Sequence, residues 1–153
     1  MADVVTPAVR SKMMAAILGK NTKPEIAIRK ALFERGFRYR LHDRKVPGTP
    51  DIVLPRYNAV IFVHGCFWHG HKCPLFKVPE TRSEFWKTKI ERNQRNDEAN
   101  IKALLALDWR VAIVWECALK GRGKQSLTNL ADSLDGWLKS SKPKLELRGQ
   151  PLH

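Results

Sequence analysis

The stretch from Ile61 to Cys73 constrains this chain more than any other part of its sequence. It holds three of the five histidines, two of the three cysteines and one of the five tryptophans. Cysteine and histidine are zinc-binding residues, and histidine also transfers protons near neutral pH. A chain that crowds these residues into one short segment is expected to fold around that segment.

Three metal-ligating side chains, those of Cys66, His71 and Cys73, come from this one loop. Zinc in a structural site takes four ligands in a tetrahedron. Cys117 is the remaining cysteine and follows an apolar strand, so it is the candidate fourth ligand of a closed site. The spacing is not that of a standard zinc finger. The alternative is three buried cysteines and a surface histidine.

A second set of candidate residues consists of Asp51, His64 and His69. Asp51 follows a Pro-Gly-Thr-Pro loop and opens a short apolar strand, and the next apolar strand ends at His64. If a tight turn pairs these strands antiparallel, Asp51 comes within reach of residues 62–64. A carboxylate and the carbonyl of Val63 would suit Mg²⁺, and a histidine beside a water suits phosphodiester hydrolysis. Each residue alone is explained by capping or packing; together they favour catalysis.

The composition favours a polyanionic partner. The net charge is +13 and the isoelectric point is about 10.1, which favours nucleic acid over a merely basic soluble protein. No apolar run approaches the roughly 18 residues of a membrane-spanning helix. The first residues do not resemble a signal peptide. Three cysteines cannot all pair within one chain, so we expect reduced thiols and a cytoplasmic location.

The order of predicted helices and strands indicates an α/β fold, a mixed sheet flanked by helices. A capping box at Thr22–Glu25 starts a helix that ends at Gly36, and a second box at Thr81–Glu84 starts a long helix to about Leu107. Taken alone, Glu25 is explained as a helix cap. We predict a strand at 37–41, a basic N-terminal arm or helix over 1–20, a main domain over 21–138 and a disordered tail over 139–153.

Large aromatic and basic side chains are candidates for DNA contact. Phe67 and Trp68 lie inside the metal loop, and Trp86 lies on the long helix, where Lys89 and Asn93 belong to a basic polar face. An aromatic wedge can enter a base step, and the cost of unstacking is lower at a mismatch. The alternatives are interior packing for the aromatics and a solvated charged face for the helix.

Several motifs resemble the very short patch repair (Vsr) endonuclease family. They are Ser11-Lys12-x-Met14, Pro47-Gly48-x-Pro50-Asp51, the block 62–73, Thr81-Arg82-x-Glu84-Phe85-Trp86 and Val114-Trp115-Glu116-Cys117-Ala118-Leu119. The likeness covers about residues 11–121, and the histidine and cysteine block is its most specific part.

The resemblance implies a restriction-endonuclease-like fold with a structural zinc site. It also implies nicking of duplex DNA on the 5′ side of the thymine in a T:G mismatch that arises when 5-methylcytosine deaminates. Mg²⁺ would be the catalytic cofactor and Zn²⁺ the structural one. The protein would act as a monomer in the bacterial cytoplasm, on the nucleoid, without membrane contact and with mismatch-repair proteins as candidate partners.

Roles for single residues follow from the same resemblance. Asp51 and the main-chain carbonyl of Val63 would bind Mg²⁺; His69 would be the general base, supported by Glu25; and His64 would assist near the scissile phosphate. The remaining roles are zinc binding by Cys66, His71, Cys73 and Cys117, intercalation by Phe67, Trp68 and Trp86 from the major groove and Met14 from the minor groove, and contact with the recognition site by Lys89 and Asn93.

Two other functions fit the sequence less well. One is a restriction-type nuclease that cuts both strands of paired DNA. The other is a zinc-stabilised DNA-binding module without catalysis, against which the joint presence of Asp51, His64 and His69 argues.

Overall fold

A mixed five-stranded sheet lies at the centre of the computed structural model, which describes residues 21–73, 76 and 80–150. The strands lie side by side in chain order: β1 (Arg40–Leu41), β2 (Ile52–Leu54), β3 (Ala59–His64), β4 (Arg110–Trp115) and β5 (Lys144–Leu147). Strands β1 to β3 pair antiparallel, and β3, β4 and β5 pair parallel. The helices of the described residues are α1 (Lys23–Glu34), α2 (Ser83–Ala106) and α3 (Leu127–Leu138). The predicted α/β class and mixed sheet are confirmed.

The β2–β3 hairpin brings Asp51 to the end of β3. The chain turns through a short 3-10 helix, Pro55–Tyr57, followed by Asn58 with a φ of 50°, a left-handed conformation that asparagine tolerates better than most residues. Ile52 pairs with Ile61, so Asp51, one residue earlier, faces the last residues of β3. The strands do pair antiparallel, which is the condition under which the sequence places Asp51 within reach of residues 62–64.

Both faces of the sheet are covered, which explains why β3 and β4 are apolar along most of their length. Helices α1 and α3 supply the core of one face through residues that include Ile28, Leu32, Leu130 and Leu134. Helix α2 supplies Leu104 to the core of the other face. Truncating one buried leucine to alanine costs about 2–5 kcal/mol, so these contacts fix the sheet between the helices.

Helix α1 begins as predicted, and α2 does not. The Thr22 hydroxyl accepts a hydrogen bond from the Glu25 N–H at 3.4 Å, as an N-cap should. The predicted capping box at Thr81–Glu84 is wrong: α2 begins at Ser83, and no side chain caps it. Arg82 lies in the left-handed region, with a φ of 59°, so Thr81 is not at the N-cap position. The helix ends at Ala106, close to the predicted end.

The chain after α3 corrects a further prediction. The disordered tail predicted for 139–153 is wrong for its described part, because Lys144–Leu147 forms β5 against β4. This strand alternates exposed and more buried residues, and Leu147 is buried in the core beside α1 and α3. The strand predicted at 37–41 is also shorter, since only its last two residues pair with β2.

Some predictions lie outside the described residues. The basic arm or helix over 1–20 is one of them, and with it the proposed minor-groove contact of Met14. Among the helices of the described residues, none combines the length and the hydropathy needed to cross a membrane.

Candidate active site and metal centre

A cavity of about 620 Å³ opens where the chain leaves the carboxyl end of β3. The hairpin contributes Asp51 to its wall, and the end of β3 contributes Val63 and His64. The loop after β3 adds His69, and helix α2 adds Asp97. The cavity therefore brings together residues from three separate parts of the chain, and the polar ones among them, Asp51, His64, His69 and Asp97, can bind a proton or a cation.

The carboxylate of Asp51 is fixed against the end of β3. Its Oδ2 accepts a hydrogen bond from the Val63 N–H at 2.7 Å, and the residue is buried. Burial, with a smaller contribution from the neighbouring Glu25 carboxylate, raises the pKa of Asp51 to about 8. In a strand, the N–H and C=O of one residue point to the same side, so the Val63 carbonyl faces the same side as Asp51.

A second group of side chains surrounds Asp51: Glu25 from α1 and His42 from the residue after β1. His42 Nε2 lies 2.9 Å from Glu25 Oε1 and 3.9 Å from Asp51 Oδ1. Glu25 is fully buried, and Arg29 donates a hydrogen bond to its Oε2 at 2.7 Å. Glu25 is thus more than a helix cap, because it shares a buried cluster with the candidate metal ligand.

His69 is paired with Asp97 and not with Glu25. Its Nδ1 lies 2.5 Å from Asp97 Oδ2, and its ring stacks on that of His64 with centroids 3.8 Å apart and planes at 7°. Glu25 belongs to the separate group with His42 and Asp51. The carboxylate that contacts His69 therefore comes from α2, the helix that follows the loop, and a supporting role for Glu25 stays a prediction.

The stacked histidines have different protonation behaviour. Burial, with the nearby His69 adding to it, lowers the pKa of His64 well below its usual value, so this ring stays neutral near pH 7. Among the described residues, no group hydrogen-bonds its Nδ1. When Nδ1–H of His69 donates to Asp97, its Nε2 is left with the lone pair that can accept a proton. The pair thus offers one base and one neutral hydrogen-bonding ring.

The cavity has the groups that hydrolysis of a phosphodiester requires. A carboxylate with an adjacent carbonyl can hold a divalent ion, and an oriented imidazole can take a proton from water. Asp51, Val63 and His69 all line this cavity, close to the end of β3.

The four cysteine and histidine residues predicted to bind metal come together in space. The ligand atoms of Cys66, His71, Cys73 and Cys117 all lie within 4.8 Å of one another. His71 Nδ1 is 3.5 Å from Cys66 Sγ and 3.6 Å from Cys117 Sγ. A tetrahedron with zinc–sulfur and zinc–nitrogen bonds of about 2.3 and 2.05 Å has a sulfur–nitrogen edge of roughly 3.6 Å. The residues therefore fit a zinc ion.

The protonation of these ligands fits the same conclusion. Burial raises the pKa of the Cys66 and Cys117 thiols, so they need a cation nearby to become thiolates. Burial, with Arg148 adding to it, lowers the pKa of His71, which leaves the neutral imidazole that binds metal. A divalent ion would replace the thiol protons.

The carboxyl-terminal strand supports this metal centre from outside. The Gly149 N–H donates to Cys117 Sγ at 3.3 Å, and the Arg148 guanidinium donates to the Lys72 carbonyl at 2.9 Å. A Cβ on Gly149 would lie 2.5 Å from the Cys117 carbonyl oxygen, which no real Cβ tolerates. The segment that follows β5 therefore contacts the loop and the fourth ligand at once.

Trp115 connects the candidate metal centre to the stacked pair of histidines at the cavity. Its ring stacks on His71 with centroids 4.1 Å apart and meets His64 edge-on at 5.3 Å. Glu146 of β5 accepts a hydrogen bond from the indole N–H at 2.7 Å, which fixes the ring. One side chain thus contacts a ligand of the metal centre and a residue of the candidate active site.

Helix α2 holds the loop at its other side. Asn93 and Gln94 donate to the carbonyls of Trp68 and Gly70 at 2.9 and 3.3 Å, one turn before Asp97. Gly70 has a φ of 62°, and a Cβ there would overlap Gln94 and the neighbouring helix side chains. The loop can approach α2 this closely because residue 70 is glycine.

The three aromatic residues predicted to intercalate form one cluster. Phe67, Trp68 and Trp86 meet edge-to-face, with centroids 5.0 to 5.7 Å apart, and all three are half-buried. Lys89 lies 5.6 Å from the Trp68 ring. The cluster therefore lies at the rim of the cavity, beside an exposed cation.

Two residues of the site, Asp97 and His42, are absent from the sequence predictions. Asp97 follows Asn93 by four residues, which puts both on the helix face that meets the loop. His42 follows Leu41, which pairs with Ile52, so antiparallel pairing puts His42 opposite Asp51. Neither residue can be recognised from the sequence until the contact of α2 with the loop and the pairing of β1 with β2 are known.

Comparison with known proteins gives the family. Residues 2–75 match the family model for the DNA mismatch endonuclease Vsr. Over its full length the chain is 45% identical to the DNA mismatch endonuclease Vsr of Escherichia coli strain K12 and covers 98% of that protein. Over 134 residues, 86% of the chain, it is 46% identical to the type II nicking enzyme V.XorIIP of Xanthomonas oryzae pv. oryzae, covering 98% of that enzyme.

The chain is an α/β protein with a large positive net charge. It has a cavity lined by carboxylates and histidines and a cluster of cysteines and histidine that could hold a metal ion. These features are those of a nuclease. The chain belongs to the Vsr family of DNA mismatch endonucleases. The resemblance seen in the sequence motifs is confirmed.

The buried carboxylate of Asp51 predicts a pH-dependent stability. In the metal-free folded protein Asp51 keeps its proton up to about pH 8, while the unfolded chain loses it near its usual value of 3.8. The stability that depends on this proton is complete below the lower value and is lost as the pH rises through about 8. Asp51→Asn cannot ionise, so its free energy of unfolding should not show this decline.

Urea denaturation of the metal-free protein at about pH 5 and about pH 9 measures the difference. Asp108→Asn, at an exposed position, is the matched control and should decline like the natural chain. Equal declines in all three proteins would contradict the burial of an ionisable Asp51.

Proposed function

We propose that this protein nicks duplex DNA on the 5′ side of the thymine in a T:G mismatch and so starts very short patch repair. The observation that carries the proposal is the meeting of Asp51, held by the Val63 N–H, with the His64–His69–Asp97 group at one cavity. The name of the E. coli relative, a DNA mismatch endonuclease, supports the same chemistry.

In the proposed mechanism His69 is the general base. A water oxygen bonds to the phosphorus while Nε2 of His69 takes the water proton. The bond from phosphorus to the leaving sugar oxygen breaks, and that oxygen takes a proton from solvent water to become a hydroxyl. Asp97 is a positioning residue that keeps the proton of His69 on Nδ1. Neutral His64 holds the His69 ring by stacking and offers a hydrogen bond beside the scissile phosphate.

Asp51 and the Val63 carbonyl are the proposed ligands of a catalytic Mg²⁺. When bound, the ion would neutralise charge on the phosphate and polarise its oxygens. The raised pKa of Asp51 supports this assignment, because a carboxylate buried beside Glu25 is ionised more readily with a cation.

Recognition of the mismatch is assigned to the aromatic cluster. Phe67, Trp68 and Trp86 lie half-buried at the rim of the cavity and would enter the DNA from the major groove beside the weakened pair. Lys89 suits a phosphate. Asn93 spends one donor on the Trp68 carbonyl, so its contact with DNA would be made by its remaining donor and acceptor. Met14 would enter from the minor groove.

Zinc is the proposed ion of the cysteine and histidine centre. A site closed by four protein ligands leaves no position for a substrate, so its role would be structural. The proposed fold relationship is to restriction endonucleases. The active form would be a monomer on DNA in the bacterial cytoplasm, with mismatch-repair proteins as further partners.

A nicking assay tests the main proposal. With Mg²⁺ present, the full chain should cut only the thymine-containing strand of a T:G duplex and leave the matched T:A duplex intact. Asp51→Ala should abolish nicking and retain binding of the T:G duplex, because the carboxylate acts on the reaction and not on the DNA surface.

Each contrary result favours another function. Equal cutting of both strands in paired DNA would indicate a restriction-type nuclease. Binding of both duplexes without cutting of either, at every Mg²⁺ concentration, would indicate a DNA-binding module.

The role of Asp97 can be tested separately. Asp97→Asn should lower kcat by about 100-fold or more, because His69 loses the carboxylate that fixes its tautomer, while the affinity for the T:G duplex stays the same. Glu98→Gln removes the same charge from an exposed neighbouring position of α2 and should leave kcat unchanged. A similar loss in both variants would show that only the charge of the helix matters.

The support of the metal centre by the carboxyl-terminal strand gives a further prediction. Gly149→Ala forces the Cys117 carbonyl aside and should speed zinc release to a chromophoric chelator at least about tenfold. Gly136→Ala is the control, because a Cβ there meets nothing within 4 Å. Equal release rates in all three proteins, or less than one zinc per natural chain by elemental analysis, would contradict the assignment.

A further inference from the structure

A buried group of two carboxylates and one imidazole lies behind the wall of the active-site cavity. Asp51 lines the cavity, whereas Glu25 and His42 are not among its lining residues. The side chains of Glu25, His42 and Asp51 are exposed by 0%, 14% and 11%. Asp51 thus joins the cavity to two buried side chains that offer further metal-binding atoms.

The distances in this group are those found between ligands of one ion. The three ligand atoms lie within 4.8 Å of one another. Ligands at about 2.1 Å from an octahedral ion are roughly 3.0 Å apart when adjacent and roughly 4.2 Å when opposite. His42 Nε2 is 2.9 Å from Glu25 Oε1 and 3.9 Å from Asp51 Oδ1, so both separations fall inside or close to that range.

The charges of the group also favour a cation. Glu25 and Asp51 are in contact, and that contact adds to the rise in the pKa of Asp51. Arg29 neutralises one carboxylate through Glu25 Oε2 at 2.7 Å, which leaves Oε1 turned to His42. Glu25 Oε1 and Asp51 Oδ1, which lie 2.9 and 3.9 Å from His42 Nε2, are the carboxyl oxygens that a cation would contact here.

The backbone holds His42 in place for this contact. Its φ of 49° lies in the left-handed region, which few residues other than glycine adopt. Its N–H donates to the Asp51 carbonyl at 3.1 Å, and the preceding Leu41 pairs with Ile52. The register of β1 and β2 therefore delivers the imidazole to the two carboxylates, as a fixed part of the hairpin edge.

We infer that Glu25, His42 and Asp51 form one mixed nitrogen and oxygen site in which His42 Nε2 is a direct ligand of the catalytic divalent ion. This inference rests on the proposed metal site at Asp51 and adds a ligand to it. Binding requires the tautomer with the proton on Nδ1. Because imidazole nitrogen suits first-row transition ions better than Mg²⁺, the site takes Mn²⁺ more tightly than Mg²⁺.

Electron spin-echo spectroscopy of bound Mn²⁺ tests the inference without relying on activity. The full chain is first loaded with zinc, so that the cysteine centre is filled, and then receives less than one equivalent of Mn²⁺. The natural chain should show nitrogen coupling from a directly bound imidazole, and labelling histidine with the heavy nitrogen isotope should change that coupling. His42→Gln should lose the coupling and bind Mn²⁺ at least about tenfold more weakly.

His69→Gln is the matched control, since His69 faces the cavity and belongs to the other histidine group; it should keep the coupling. Coupling that persists in His42→Gln, or that disappears only in His69→Gln, would overturn the inference. If circular dichroism shows that His42→Gln does not fold, His42→Asn replaces it. A second test needs no substitution: if labelling histidine leaves the nitrogen coupling of the natural chain unchanged, the inference is overturned.

The failure of this inference differs from failure of the proposed function. Mn²⁺ that binds the natural chain without nitrogen coupling, and is lost in Asp51→Asn, would remove His42 from the site and leave the catalytic metal at Asp51 in place. Mn²⁺ binding that is the same in Asp51→Asn and the natural chain would overturn both.

Discussion

The contact between the loop after β3 and the short 3-10 helix Glu116–Ala118, which follows β4, is the interaction on which the rest of the site depends. Cys66 and Cys117 lie 51 residues apart, and the Cys117 N–H donates to Cys66 Sγ at 3.3 Å. With His71 and Cys73 they form a compact ligand set. A metal ion bound there would add binding free energy that holds these ligands together.

Because the loop is tied at this end, its other residues are held in position. The His69 N–H donates to the Gly65 carbonyl and the His71 N–H to the Cys66 carbonyl, at 3.3 and 2.9 Å. The Trp115 ring contacts both His71 and His64, which lines the cavity. The loop thus carries three of the four candidate metal ligands, the proposed base His69 and two of the three clustered aromatic residues, Phe67 and Trp68.

The features that the sequence predicts correctly are those decided by residues close together in the chain or by a scarce residue type. Asp51 and the end of β3 belong to one hairpin, so alternation and a turn were enough to bring them together. Cys117 could be assigned because few cysteines exist. The contact between His69 and Asp97 was not predicted, because it depends on how α2 packs against the loop.

Other features depended on contacts that no local pattern contains. The strand β5 is a short alternating segment in a polar stretch, and it is stable because β4 offers it a free edge and the core accepts Leu147. His42 is delivered to the carboxylates by a strand of only two residues. Propensity is weak over such short segments, so tertiary contacts decide their structure.

Amide hydrogen exchange in zinc-loaded and zinc-stripped protein tests the central claim, that the metal centre holds the catalytic loop. On removal of zinc, the amides of His69 and His71 should lose their protection, while that of Ile61 in β3 should keep it. Unchanged protection of the His69 amide after complete removal of zinc would contradict the claim.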